Sequence, residues 1–397
     1  MKNVTDLTPL KDLRRALHRL PEVSGCEERT SETIAAALRG LGPDRLWTGL
    51  GSGDGVADGF GVAAEFKGAQ PGPTVLFRCE LDALPIQEVG GREHGSEVPG
   101  VAHLCGHDGH MTILLGLARR LAKKRPARGR AVLLFQPAEE TGAGARAVVR
   151  DPRFQELRPD HAFALHNLPG SPLGQVVLRE GTFNCASRGF VARLVGRTSH
   201  AAHPEDGKSP AAGMCELAMA MSNLHRDESL AEPALGHDPG FTLSTLIHAR
   251  LGEVAFGTAP GEAFVMATLR AEHDAQMERL SGLAQATAES IAASHGLSLE
   301  TRWQDEFAAC VNSSDACEQI VAAASLEDVQ VSPLAAPFRW SEDFGALREC
   351  GASLAMFGLG SGESHPQLHA PDYDFPDELI EPGVRLFARI AEDLLSD

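Results

Sequence analysis

Four short stretches of this 397-residue chain concentrate side chains that can hold metal ions or move protons. They are Arg78-Cys79-Glu80-Leu81-Asp82, His103-Leu104-Cys105-Gly106-His107-Asp108-Gly109-His110, Gln136-Pro137-Ala138-Glu139-Glu140 and Leu165-His166-Asn167. Cys105 and His107 form a nitrogen–sulfur pair of the borderline-soft kind that Zn²⁺ favours, spaced so that one loop can supply both. Helix capping and a buried thiol are the plainer account of the same residues. Glu139 and Glu140 follow an apolar run, where two adjacent carboxylates are commonly a solvated turn. Pro137, however, pushes Gln136 into extended backbone and ties the pair to the end of that run. In near-extended backbone, neighbouring side chains point opposite ways. One carboxylate would then serve a metal ion and the other would face a metal-bound water as general base. His166 alone reads as a core histidine, and His369, in Leu368-His369-Ala370-Pro371-Asp372, adds little by itself.

Each stretch follows a candidate strand or opens a candidate helix. Residues 74–77, 131–135, 162–165 and 353–357 are short apolar runs of strand length, and residues 109–123 carry Met111, Leu114, Leu115, Ala118 and Leu121 at helical spacing. The first 40 residues read as two helices broken at Pro21, residues 48–61 as turns, residues 123–130 as a basic solvated loop, and residues 381–395 as a last helix. Alternating strands and helices imply an α/β domain, with a mainly parallel sheet covered by helices on both faces. In such sheets ligands sit outside the carboxyl ends of the strands, so turns after separate strands can gather distant residues. Between them lies a different pattern. Strands at 190–195, 241–247, 263–269 and 297–303 and helices at 209–224 and 275–294 follow the β-α-β-β-α-β order of a ferredoxin-like α+β domain. The organisation expected is therefore a first catalytic part at 1–184, an inserted domain at 185–305 and a second catalytic part at 306–397.

Composition limits the classes. Hydrophobic residues make up 43% and charged residues 23%, as in ordinary globular chains. A net charge of −18 argues against nucleic acid or an anionic membrane as partner. The amino-terminal segment has no apolar core of a secretory signal, and no run is long enough to span a bilayer. The 8 cysteines are scattered without a C-x-x-C pair, which favours reduced thiols and a cytoplasmic address.

Taken together, ELDALPI, CGHDGH, FQPAEETGAGA, ALHNLPG, SHAAHP, SEDF and LHAPDYDF, in this order over residues 14–375, closely resemble the M20 metallopeptidase superfamily. The branch resembled contains hippurate hydrolases, auxin-conjugate hydrolases and N-acyl-amino-acid amidohydrolases. The resemblance implies a two-metal amidohydrolase with Cys105, His107, Glu140, His166 and His369 as ligands and Glu139 as general base. The ions expected are zinc or manganese, with cobalt and nickel as further candidates, about 3.5–4 Å apart. Asp82 and Asp108 are expected to orient ligand histidines through the far ring nitrogen, Asp82 ranking with the catalytic residues. His200 and Asn167 are the expected substrate contacts. On its own, His200 reads as a loop histidine. The resemblance makes it the donor to the carbonyl oxygen as that oxygen becomes an oxyanion, reaching it by domain closure or from a partner subunit. The inserted domain would then be the lid and dimerisation domain of a homodimer.

Several positions depart from the family pattern: Cys79 and Glu80 stand where Ala and Asp are usual, and Arg197-Thr198-Ser199 replaces a glycine-rich run before His200. Gly257-Thr258-Ala259-Pro260 stands where Asn-x-Ile-Pro is common. These bear on the substrate rather than on the reaction. No G-x-S-x-G occurs, and the glycines at 49–55 lack dinucleotide spacing. The rival readings are a dipeptidase or aminopeptidase on the same scaffold, and a metal-binding or sensing protein. A closed structural metal site would have four ligands and no spare base, whereas Glu139 beside Glu140 favours turnover.

Overall fold

The four apolar runs extend, in the computed structural model, into the strands Gln70–Glu80, Arg128–Gln136, His161–Pro169 and Ser353–Gly362. The structure describes residues 8–52, 59–231 and 240–396. Part of the expected turn at 48–61, and the first residues read for a signal segment, lie outside the described residues. The chain divides into two compact units: Met1–Phe183 with Cys310–Ala336 and Asp343–Asp397, and Asn184–Ala309 with Pro337–Glu342.

The first unit is built on an eight-stranded sheet. Arg128–Gln136, Gln70–Glu80, His161–Pro169 and Ser353–Gly362 lie side by side and parallel at its centre. Gly61–Lys67 and Arg45–Leu50 extend one side antiparallel. The sequence reading contained neither of these strands, because their side chains alternate weakly and a glycine-rich stretch separates them. Val75, Phe77 and Cys79 face a core shared with Leu114, Leu117 and Phe387, from the helices His107–Lys123 and Ile380–Leu395. Arg78 and Glu80 point to the opposite face, as a two-residue period requires. Both faces are buried along residues 75–80, which accounts for the unbroken apolar run at 74–77.

Local chemistry sets the helix boundaries. Pro21 ends the first helical segment, and Glu22 then caps Glu28–Arg39, accepting from the Thr30 amide and hydroxyl at 2.8 Å each. Gly106, at φ 93°, opens His107–Lys123. A Cβ at this glycine would lie 2.4 Å from Asn167 Oδ1, so only glycine lets the helix start so close to the strand end.

The second unit holds the strands Ala186–Val195, Thr242–Leu251, Glu262–Ala271 and Ser298–Phe307 and the helices Ala211–Asn223 and Asp274–Ser294. Its sheet runs Thr242–Leu251, Glu262–Ala271, Ala186–Val195, Ser298–Phe307, antiparallel throughout. With the β-α-β-β-α-β order this is a ferredoxin-like arrangement. Ala263, Val265, Ala267, Leu269 and Ala271 alternate to the buried face.

Candidate metal centre

The carboxyl ends of three central strands and the start of His107–Lys123 converge in the first unit. Cys105 Sγ lies 3.4 Å from His166 Nε2. Glu140 places one oxygen 3.8 Å from His107 Nε2 and the other 3.8 Å from His369 Nε2. Ligand-capable atoms lie within 4.8 Å of one another in each of three sets: Cys105, His107 and His166; Cys105, Glu140 and His369; His107, Glu139 and Glu140. The five expected ligands and the expected base thus form one cluster.

The imidazoles are held in defined tautomers. His107 Nδ1 donates to the Asp82 carbonyl at 2.9 Å and lies 3.3 Å from the Asp82 carboxylate. His166 Nδ1 donates to the Asn167 carbonyl at 2.8 Å. Both rings therefore turn Nε2, the nitrogen a metal ion would take, toward the cluster. His107 Nε2 is buried and has no hydrogen-bond partner among the described residues. A buried ring nitrogen in that state is costly unless a ligand takes it. The electrostatics agree. Burial first, then the charges of Glu140 and Glu139, push the Cys105 thiol well above its usual range. Burial works against the charged form of His107, yet the Asp82 hydrogen bond and the surrounding carboxylates bring it to about 10. Both groups register a negative potential that a divalent cation would reverse. A thiol, three imidazoles and a carboxylate in such a field fit divalent metal ions.

Three expectations are corrected by the geometry. Glu139 and Glu140 do not alternate across an extended strand. Ala138 takes φ 52°, the chain turns, and both carboxylates lie close to His107. Asn167 does not present its side chain as a substrate contact: its oxygen pairs with His110 Nε2 and its amide donates to the Tyr373 hydroxyl, each at 2.5 Å. Asp108 orients no ligand histidine among the described residues. Its carboxylate takes Arg14 at 3.1 Å and His18 at 2.8 Å, pinning the helix Thr8–Arg19 to the start of His107–Lys123. Asp82 stands beneath His107 and also accepts from the Glu140 amide at 2.9 Å, bracing two candidate ligands together.

Residues with no role in the sequence reading support the cluster. His110 Nδ1 donates to Glu80 at 2.6 Å, and Arg78 pairs with both Glu80 and Asp343. Asp343, part of the SEDF stretch, accepts from the Ala145 amide at 2.8 Å and fixes the helix after the Glu139 turn. His369 is held at φ 66° while its amide donates to Leu104 at 2.9 Å. Its placement depends on a loop that is remote in sequence. His200 belongs to the second unit, where it pairs in register with Thr258, inside the segment that departs from the family pattern. Its Nδ1 accepts from the Ala202 amide at 3.0 Å, so the neutral ring carries its proton on Nε2, as a donor.

The His18–Asp108 pair has a measurable pH signature. Burial alone would lower the His18 pKa, but the Asp108 charge and hydrogen bond outweigh it and raise it to about 9. The unfolded value is about 6.5, so the pair stabilises fully below that pH and the contribution disappears as pH rises through about 9. The stability deficit of His18→Gln should therefore shrink by on the order of 3 kcal/mol between about pH 6 and pH 10. Urea midpoints of both proteins at the two pH values give the comparison, and an unchanged deficit would rule the pair out as its source.

The profile of peptidase family M20/M25/M40 matches residues 76–393. Among known sequences, the chain is similar to the N-acetyl-L-cysteine deacetylase of Bacillus subtilis (strain 168), 30% identical over 396 residues, covering 97% of this chain and 90% of the other. It is also similar to the N-acetyldiaminopimelate deacetylase of Exiguobacterium sibiricum, 29% identical over 385 residues, covering 94% and 95%. Among solved structures it is similar to the Bacillus subtilis YXEP protein, described as a dinuclear metal binding peptidase from the M20 family. There the TM-score is 0.78 at 25% identity, over 98% of both chains.

Proposed function

As a member of peptidase family M20/M25/M40, the chain is a hydrolase for which we propose a specific reaction: cleavage of the amide bond of an N-acylated amino acid, acetylated or aryl-acylated as in hippurate. The observation that carries this reading is Glu139 beside five side chains able to hold a metal ion, close enough to His107 and Glu140 to act on the same small molecule. Relatives named as deacetylases of N-acetyl amino acids support the substrate class.

Cys105, His107, Glu140, His166 and His369 would hold two divalent ions. Zinc or manganese suit this mixture of sulfur, nitrogen and oxygen donors. When bound, such ions polarise the amide carbonyl and make water acidic enough to attack at neutral pH. Glu139 accepts the proton of the attacking water and returns it to the leaving nitrogen. Asp82 keeps the His107 lone pair directed inward. His200, whose tautomer leaves Nε2–H free to donate, stabilises charge developing on the carbonyl oxygen. The protein also acts as a homodimer in this reading. Thr242–Leu251 is an edge strand of the second unit's sheet, with Ile247 61% exposed. Met219, 67% exposed, sits on the helix packed against it. Apolar groups along an open strand edge invite a second copy.

The test is hydrolysis of a panel comprising hippurate, N-acetyl amino acids, indole-acyl amino acids and free dipeptides, with Zn²⁺, Mn²⁺ or Co²⁺ supplied. Acyl amino acids should be cleaved and dipeptides spared; the reverse preference would make the protein a dipeptidase. Light scattering on the assayed sample should give twice the chain mass of 42.2 kDa. In the same assay His200→Ala should lose roughly 10²–10³-fold in kcat with its metal content unchanged. A loss confined to KM would remove His200 from the transition state.

A further inference from the structure

The turn that carries Glu139 contains an unusual peptide. Ala138 has φ 52°, a left-handed conformation that L-residues other than glycine adopt only under restraint. Its carbonyl accepts from the Gly144 amide at 3.1 Å and the Thr141 hydroxyl at 3.2 Å, both within the turn. The turn is tight at this point: a Cβ on Gly144 would fall 1.6 Å from the Pro137 carbonyl oxygen. The Ala138 amide is held from outside the turn, donating at 2.7 Å to Glu27 Oε1, 111 residues away in sequence.

Glu27 precedes the helix Glu28–Arg39 in the capping position, yet its side chain makes no cap bond. Glu22 does that work. The Glu27 carboxylate is instead fully buried. Burial, and then the charge of Asp82, raise its pKa to about 7, so this residue occupies its site against a desolvation cost. Backbone amides offset part of that cost, and the Ala138 amide is the one among them that comes from the Glu139 turn.

We propose that Glu27 is a positioning residue for the base: by holding the Ala138 amide it keeps the peptide before Glu139 left-handed and the Glu139 carboxylate on the metal-ligand cluster. This rests on the assignment of Glu139 as base. Without the bond, the turn relaxes toward ordinary negative φ and Glu139 swings away from the attacking water. Misplacement on the scale of 1 Å is enough to cost orders of magnitude in rate.

Glu27→Met keeps the buried volume and removes the acceptor. Glu27→Gln keeps an acceptor oxygen. Glu27→Met should lower kcat roughly 10–10²-fold, with metal content intact and KM within about threefold of the parent. Glu27→Gln should recover most of that rate. Adding Ala138→Gly to Glu27→Met should regain at least about fivefold, since glycine takes positive φ unaided. A purely structural role would give no such rescue. The proposal is overturned if Glu27→Met retains kcat within about threefold of the parent, if it loses its metal, or if Glu27→Gln falls as far as Glu27→Met. Should Glu27→Met not fold, Glu27→Asp, which withdraws the oxygen by one methylene, decides on the same criteria of kcat and metal content. Activity surviving in Glu139→Gln would instead sink the assignment of the base itself, a result separate from any of these.

Discussion

Glu139→Gln should bind metal as the parent does and lose roughly 10²–10⁴-fold in kcat. The substitution keeps the shape and the buried setting of the side chain. It removes only the ability to take a proton from water and hand it to the leaving nitrogen. Glu139 lies against His107 and Glu140 rather than on the far side of an extended strand, so it is near enough to the cluster for that transfer. Metal analysis beside steady-state kinetics makes the comparison. Residual turnover within tenfold of the parent would pass the role of base to another group, and lost metal would make Glu139 a ligand.

Cys105→Ala should have an effect of comparable size through a different route. Cys105 is shared by two of the ligand sets, one with His107 and His166 and one with Glu140 and His369. Removing it opens both sets at once. Loss of an outer partner of a metal ligand typically costs about 10–100-fold in affinity, and loss of the ligand itself should cost more. The purified variant should therefore carry less metal per chain than the parent, and activity should fall in step with metal content. Excess metal in the assay should restore part of it. A variant with full metal content and parental turnover would make Cys105 a buried thiol of no consequence to the site.

Much of the fold and of the candidate site is legible residue by residue, because the relevant signals are local. Helical spacing within residues 109–123, the break at Pro21 and the apolar runs before each polar stretch are properties of neighbouring residues. They place Cys105 and His107 at a helix start, Glu140 just past one strand and His166 toward the carboxyl end of another. The order of strands and helices at 190–303 likewise marked the ferredoxin-like unit. The resemblance of the seven motifs supplied the roles expected of His369 and Glu139, which spacing alone left open.

Features that depend on groups far apart in the chain emerge only from packing. A left-handed Ala138 cannot be read from Pro-Ala-Glu-Glu, since alanine disfavours that conformation and adopts it here under the hold of Glu27 and the turn. Asn167 looked available, but His110 and Tyr373 use both ends of its amide. Asp108 sits next to a candidate ligand histidine in sequence, yet its carboxylate is drawn the other way by Arg14 and His18 from the first helix. Adjacent residues on a helix start point in different directions, and which one meets which partner is settled by packing. Residue types and spacing specify what chemistry a chain can perform. Buried hydrogen bonds between distant segments select the rotamers, tautomers and backbone angles that aim it, because an unpaired polar group in the interior costs too much to leave its orientation open.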